Sequence, residues 1–113
     1  MEKVLKGWGH ELIIHNCDEY CGKILVFNKG KKCSYHYHEL KKETFYVLSG
    51  RILLKHGKTD EISEAEEIIL EKGMKFEIER GLRHQMFALE DSEICEFSTR
   101  HFDEDSIRVI KGD

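Results

Sequence analysis

A chain of 113 residues, 40% apolar and 35% charged, has room for one domain and one hydrophobic core. That balance excludes a disordered chain, and apolar runs no longer than a strand exclude a membrane-spanning helix. Lys and Arg total 18 against 22 Asp and Glu, a net charge of −4 with the signs interspersed, which leaves no electrostatic footprint for nucleic acid.

Along the chain, the opening Met1-Glu2-Lys3-Val4-Leu5-Lys6 carries an acid and no apolar stretch of leader length, so a cytoplasmic protein is expected. Residues 1–21 read as an N-terminal arm and a first strand. Cys17 and Cys21 lack CxxC spacing and read as ordinary reduced thiols in a loop. Residues 23–27 form a compact β-rich run closed by Asn28-Lys29-Gly30, and further runs follow at 44–48, 51–56, 75–79, 85–89 and 93–98. Glycine and short polar stretches do nearly all the punctuation between them. The best helical candidate, 61–69, is short, and its Glu64-Ala65-Glu66-Glu67 reads as a polar loop or one helical turn. Residues 103–113 read as a polar tail, leaving 22–102 for the body of the domain. Many short strands without alternating helices predict an antiparallel sandwich or barrel. By alternation Phe45, Val47, Met86 and Phe97 are core candidates, as are Cys33 and Cys95, while His10, His15 and His56 are assigned to the surface.

Three of the seven histidines stand in an informative arrangement. His36 and His38 are two apart, and on a strand such residues share a face. Glu43 follows a short turn and opens the next run, so a hairpin returns it beside them. His84 begins a later strand. Three imidazoles and a carboxylate suit zinc, manganese, iron, nickel or cobalt. On its own, however, a His-x-His pair also fits two exposed strand residues.

A glycine frame surrounds these positions. Gly30, His36, His38, Glu43 and Gly50, with five, one, four and six residues between them, reproduce the first motif of the cupin superfamily. Gly73, Gly81 and His84 resemble the second, with Glu79 in place of its proline and Ala88 in place of its asparagine. The resemblance implies an all-β, single-domain β-barrel, a jelly roll of two antiparallel sheets. It also implies one divalent metal on His36, His38, Glu43 and His84, and pairing into a homodimer. Further segments look like the cupin domain of type II mannose-6-phosphate isomerases: Trp8-Gly9-His10-Glu11 with Tyr20, Lys23 and Leu25, then the strand from Glu43 to Gly50, then Glu96 and Glu104-Asp105-Ser106-Ile107. Those isomerases usually carry Gln in place of His36 and often place a nucleotidyltransferase domain ahead of the cupin.

Cupins host many reactions, so the fold does not settle the chemistry. The likeness implies a small-molecule substrate, a sugar or sugar phosphate, isomerised or epimerised through a metal-stabilised enediolate. Such a reaction needs a base within reach of the migrating proton. Glu96 is the first candidate, because it shares a strand face with Ile94, Ser98 and Arg100, and Glu11 and His101 are alternatives. Lys23 and Arg100 are candidates to hold a phosphate or carboxylate. Trp8 reads first as a barrel plug or dimer contact, although its aromatic face also suits a sugar ring. Two other readings stand beside this one: an iron or manganese dioxygenase, and a non-catalytic, metal-containing sugar-binding or scaffold barrel.

Overall fold

Burial alternates along the chain with the period of two that the sequence predicts, and the alternation decides what faces the interior. In β3 (Cys21–Phe27), Cys21, Lys23, Leu25 and Phe27 point inward, while the residues between them face the other way. The same pattern runs through β5 (Glu43–Ser49), which buries Glu43, Phe45 and Val47, and β10 (Ser92–Ser98), which buries Ser92, Ile94 and Glu96. The computed structural model describes residues 1–113. Its other strands are β1 (Glu2–Lys6), β2 (Gly9–Asn16), β4 (Tyr35–Tyr37), β6 (Arg51–Gly57), β7 (Glu66–Glu71), β8 (Lys75–Ile78), β9 (Arg83–Ala88) and β11 (Ile107–Ile110).

All pairings are antiparallel and build two sheets, β1-β2-β3-β10-β5-β8 and β11-β4-β9-β6-β7. Their inner faces enclose a core that includes Leu25, Phe27, Phe45, Val47, Ile52, Leu54, Met86 and Ile94. The result is the jelly roll of two antiparallel sheets expected from the sequence. No helix is long and apolar enough to cross a membrane.

Several local expectations are corrected. Residues 61–69 hold a 3-10 turn (Ile62–Glu64) and then enter β7, so Glu66 and Glu67 are strand residues. Cross-strand pairing explains this, because Lys55 stands opposite Glu67 with its ammonium 3.8 Å from the carboxylate. Residues 103–113, read as a polar tail, carry a 3-10 turn and β11, which pairs with β4. Residues 1–21 add two strands to the larger sheet. Cys21 opens β3 and is buried, whereas Cys95 faces outward and is half-buried. Cys33 does lie in the core, where burial pushes its thiol up to about 12. Phe97 is 59% exposed, since its neighbour Glu96 takes the inward position.

That outward face of the larger sheet carries an apolar patch, bordered by Lys75, Glu77 and Glu93. Leu12, Ile24, Cys95 and Tyr46 form one cross-strand row on it, and Phe97 and Leu48 stand beside them, exposed.

At the tight turn from β5 to β6, Gly50 has φ +86°, and an added Cβ would run into Ser92 Oγ and the Asp91 carbonyl. Gly50→Ala is therefore expected to lower the unfolding free energy by about 1–3 kcal/mol in urea denaturation.

Candidate metal centre and the cleft beside it

The two sheets deliver the four metal candidates to one place. Glu43 is the first inward residue of β5, in the larger sheet. His36 and His84 are register partners on β4 and β9, in the smaller one. His38 follows β4 in the loop leading to β5 and is buried. Ring nitrogens of His36, His38 and His84 lie within 4.8 Å of one another. Glu43 Oε2 is 3.2 Å from His38 Nε2 and 3.3 Å from His84 Nε2.

Each ring is oriented from behind. His36 Nδ1 donates to the Ser34 carbonyl at 2.9 Å, His84 Nδ1 to the Leu82 carbonyl at 2.9 Å, and His38 Nδ1 to the Asp105 carbonyl at 3.1 Å. A carbonyl only accepts, so each Nδ1 carries a proton, which leaves Nε2 as the nitrogen free to turn a lone pair to the centre. Burial, with His84 and His38 close by, holds the His36 ring well below the usual histidine range, which keeps it neutral.

Glu43 Oε2 is buried and has no hydrogen-bond partner. Burial opposes ionisation of this carboxyl, and the Lys41 ammonium favours it. An orphaned carboxylate oxygen among imidazole lone pairs demands a positive charge at their centre. Ligands about 2.1 Å from one ion, at angles of 90–109°, stand about 3.0–3.4 Å apart. The Glu43 contacts of 3.2 and 3.3 Å fall in that range. These residues fit a divalent metal.

The loop that carries His38 is fastened by a residue of the closing Glu104-Asp105-Ser106-Ile107 segment, to which the sequence assigned no role. The buried Asp105 carboxylate accepts backbone N–H groups of Glu39 (2.9 Å), Leu40 (3.0 Å) and Lys41 (2.9 Å). Burial raises its pKa, but the N–H bonds from Leu40, Glu39 and Lys41 outweigh that effect and lower it. Side chain and main chain of one residue thus hold both the loop and the His38 ring.

Next to the cluster a cleft of about 880 Å³ opens between the sheets. Lys41 lies at its inner end, and its Nζ donates to Glu96 Oε2 at 3.0 Å and His101 Nδ1 at 3.1 Å, with Glu43 Oε1 at 3.5 Å. Burial disfavours the ammonium, but the Glu96 and Glu43 carboxylates more than offset this and raise its pKa. Glu96 has the opposite problem: burial and the nearby Glu43 charge push its carboxyl up, against the pull of Lys41 and Lys23. Burial and the two ammonium groups lower His101, which therefore accepts from Lys41 at Nδ1 and donates from Nε2 to Asp103 Oδ1 at 2.9 Å.

Among the catalytic candidates, Glu96, Glu11 and His101 all line the cleft. Of the substrate candidates only Lys23 presents a charge there, buried and paired with Glu11. Arg100 is corrected: β10 ends at Ser98, so the strand face does not extend to it. Its guanidinium sits outside the cleft on Asp18 and over the Phe102 ring. Trp8, 7% exposed, stacks on Phe27 with ring centroids 4.2 Å apart, which makes it a core plug at the cleft wall rather than an open sugar platform. Lys41 and Asp105 are the residues of the site to which the sequence assigned no role, although Asp105 lies in the closing Glu104-Asp105-Ser106-Ile107 segment. Lys41 stands two residues before Glu43, so an extended chain carries both to one side, and that spacing was the available signal.

Residues 23–99 match the family described as a cupin domain. Among solved structures, KdgF from Halomonas sp. is 22% identical with a TM-score of 0.72, over 84% of this chain and 81% of its own. The capsular polysaccharide assembling protein CapF from Staphylococcus aureus is 18% identical, with a TM-score of 0.81 over 95% of this chain. An oxalate decarboxylase variant from Bacillus subtilis is 16% identical, with a TM-score of 0.80 over 95% of this chain. This chain spans only 33% of that CapF chain and 30% of that oxalate decarboxylase chain. At these identities the likeness is one of fold. No curated protein matches the sequence.

Removing an imidazole and loosening its support are expected to differ in degree. His38→Ala should abolish metal retention, measured by elemental analysis, and with it the thermal stabilisation that bound metal confers. Asp105→Asn replaces one acceptor oxygen with a donor that faces backbone N–H, and should weaken metal affinity about 10- to 100-fold in chelator competition.

Proposed function

The chain belongs to the cupin family, and on that premise we propose that it is a metal-dependent isomerase or epimerase of a sugar or sugar phosphate. The observation that carries this reading is Glu96, a buried carboxyl with a raised pKa on the wall of a roomy cleft that also reaches the metal-fitting cluster. A divalent metal held by His36, His38, Glu43 and His84 supplies Lewis acidity toward a substrate carbonyl.

The chain's own groups do the rest. Lys41 Nζ and Ser98 Oγ both bind Glu96 Oε2, each at 3.0 Å, which fixes the carboxylate plane and leaves Oε1 without a protein partner. Oε1 takes the proton from the carbon beside the carbonyl and returns it at the neighbouring carbon, and a carboxyl raised toward neutrality suits both directions. Lys41 stays charged throughout because two carboxylates and a neutral imidazole hold it. Its charge compensates the buried Glu96 carboxylate whenever the proton is on the substrate. His101 and Glu11 border the same space as supporting polar groups.

We also propose that the chain works as a homodimer, joined through the apolar patch on the outer face of the larger sheet. Exposed Tyr46, Leu48 and Phe97 around half-buried Ile24 and Cys95 support it, since contiguous apolar surface of this kind marks an interaction site. Its four unpaired cysteines favour a reducing, cytoplasmic setting.

The reaction is tested by proton exchange. Metal-loaded protein in heavy water is followed by NMR with mannose 6-phosphate, fructose 6-phosphate and free aldoses, and loss of the carbon-2 proton signal is expected. Glu96→Gln should retain its metal and lose about 10²- to 10⁴-fold in exchange rate. No exchange from metal-loaded wild type overturns the reading and favours oxygen chemistry or binding alone. For assembly, sedimentation should give twice the 13.3 kDa chain mass, and Phe97→Glu should bring it to one chain.

A further inference from the structure

Two lysines are buried in this molecule, and they differ in what holds them. Lys41 directs its ammonium at three protein groups, Glu96, His101 and Glu43. Lys23, 2% exposed, has one partner, Glu11 Oε1 at 3.3 Å. An ammonium carries three N–H donors, so Lys23 brings unused donors to the wall of the cleft.

Its nearest carboxylate neighbour along the sheet does not take them. Lys23 and Glu96 are register partners on β3 and β10. Yet the Glu96 carboxylate is engaged by Ser98 and Lys41, toward one end of the strands. Lys23 instead bonds Glu11, the register partner of Leu25, toward the other end. The two side chains diverge and leave the cleft open between them.

Charge points the same way. Five Lys and Arg and six Asp and Glu side chains line the cleft, so a bound divalent ion turns an excess of one negative charge into an excess of one positive. Buried charge with unspent donors is costly, and an anion relieves that cost more fully than a neutral hydroxyl, which accepts a hydrogen bond but brings no charge.

We infer that Lys23 is the anion anchor of this cleft and that the substrate carries a carboxylate or phosphate to meet it. The inference deepens the isomerase reading and rests on it for the substrate, but its test needs no turnover. Glu11 is then the resident counter-charge, which holds the ammonium in place and gives way to the incoming anion.

Metal-loaded wild type and variants are titrated calorimetrically with glucose, glucuronate and glucose 6-phosphate. One of the two anions is expected to bind about 10- to 100-fold tighter than glucose. Which one does so tells a sugar acid from a sugar phosphate. Lys23→Met should erase the preference at unchanged metal content, and Lys23→Arg should keep it. Glu11→Gln removes the competing carboxylate and should strengthen anion binding. Changes of opposite sign at two touching residues distinguish an anion anchor from damage to the fold. Equal affinity for all three ligands, failure of both anions to bind, or an undiminished preference in Lys23→Met overturns the inference. An anion preference that Lys23→Met erases, in a protein with no proton exchange, overturns the isomerase reading and leaves the anchor standing.

Discussion

Glu43 Oε2 sits in the interior with imidazole nitrogens at 3.2 and 3.3 Å and no hydrogen bond to any of them. Because the far nitrogen of each ring is tied to a backbone carbonyl, the near ones present lone pairs while the rings are neutral. Such a cluster repels itself unless a cation occupies its centre. Glu43 comes from the larger sheet, and His36 and His84 come from the smaller, so a cation held there would tie the two layers together at this end. The apolar core holds them at the other.

The remaining buried charges are arranged around that requirement. Lys41 stands between Glu43 and Glu96 and touches both, so the metal cluster and the cleft share one ammonium. Through His101 and Asp103 the chain of contacts reaches the surface. Interactions of this kind are strong because water is scarce around them, and that scarcity makes each unpaired member expensive. The cleft is thus polar by construction, with charges held in fixed pairs rather than scattered.

How much of this was legible beforehand depends on the range of the interaction. Local alternation exposes β3, β5, β6 and β10, because inward and outward residues there differ in polarity. It fails at β7, whose polar residues are held in an outer strand by cross-strand pairing, and at Phe97, where a buried glutamate inverts the usual rule. His36, His38, Glu43 and His84 were readable because the glycine spacing around them repeats a known frame. The sequence set Arg100 on the same face as Glu96, but the strand stops two residues short of it. Asp105 was unreadable as a supporting group, since it acts on residues more than 60 positions away. Only the folded topology makes them neighbours.

The dependence of His38 on Asp105 also orders events in time. During synthesis His36, His38, Glu43 and even His84 emerge before residue 105, and until it follows them the 39–41 loop has no carboxylate to close on. A chain without residue 105 lacks the contact that orients the His38 ring and closes the loop beside it. A metal held by these rings would therefore be gripped firmly only once β11 has joined β4, late in the life of the growing chain.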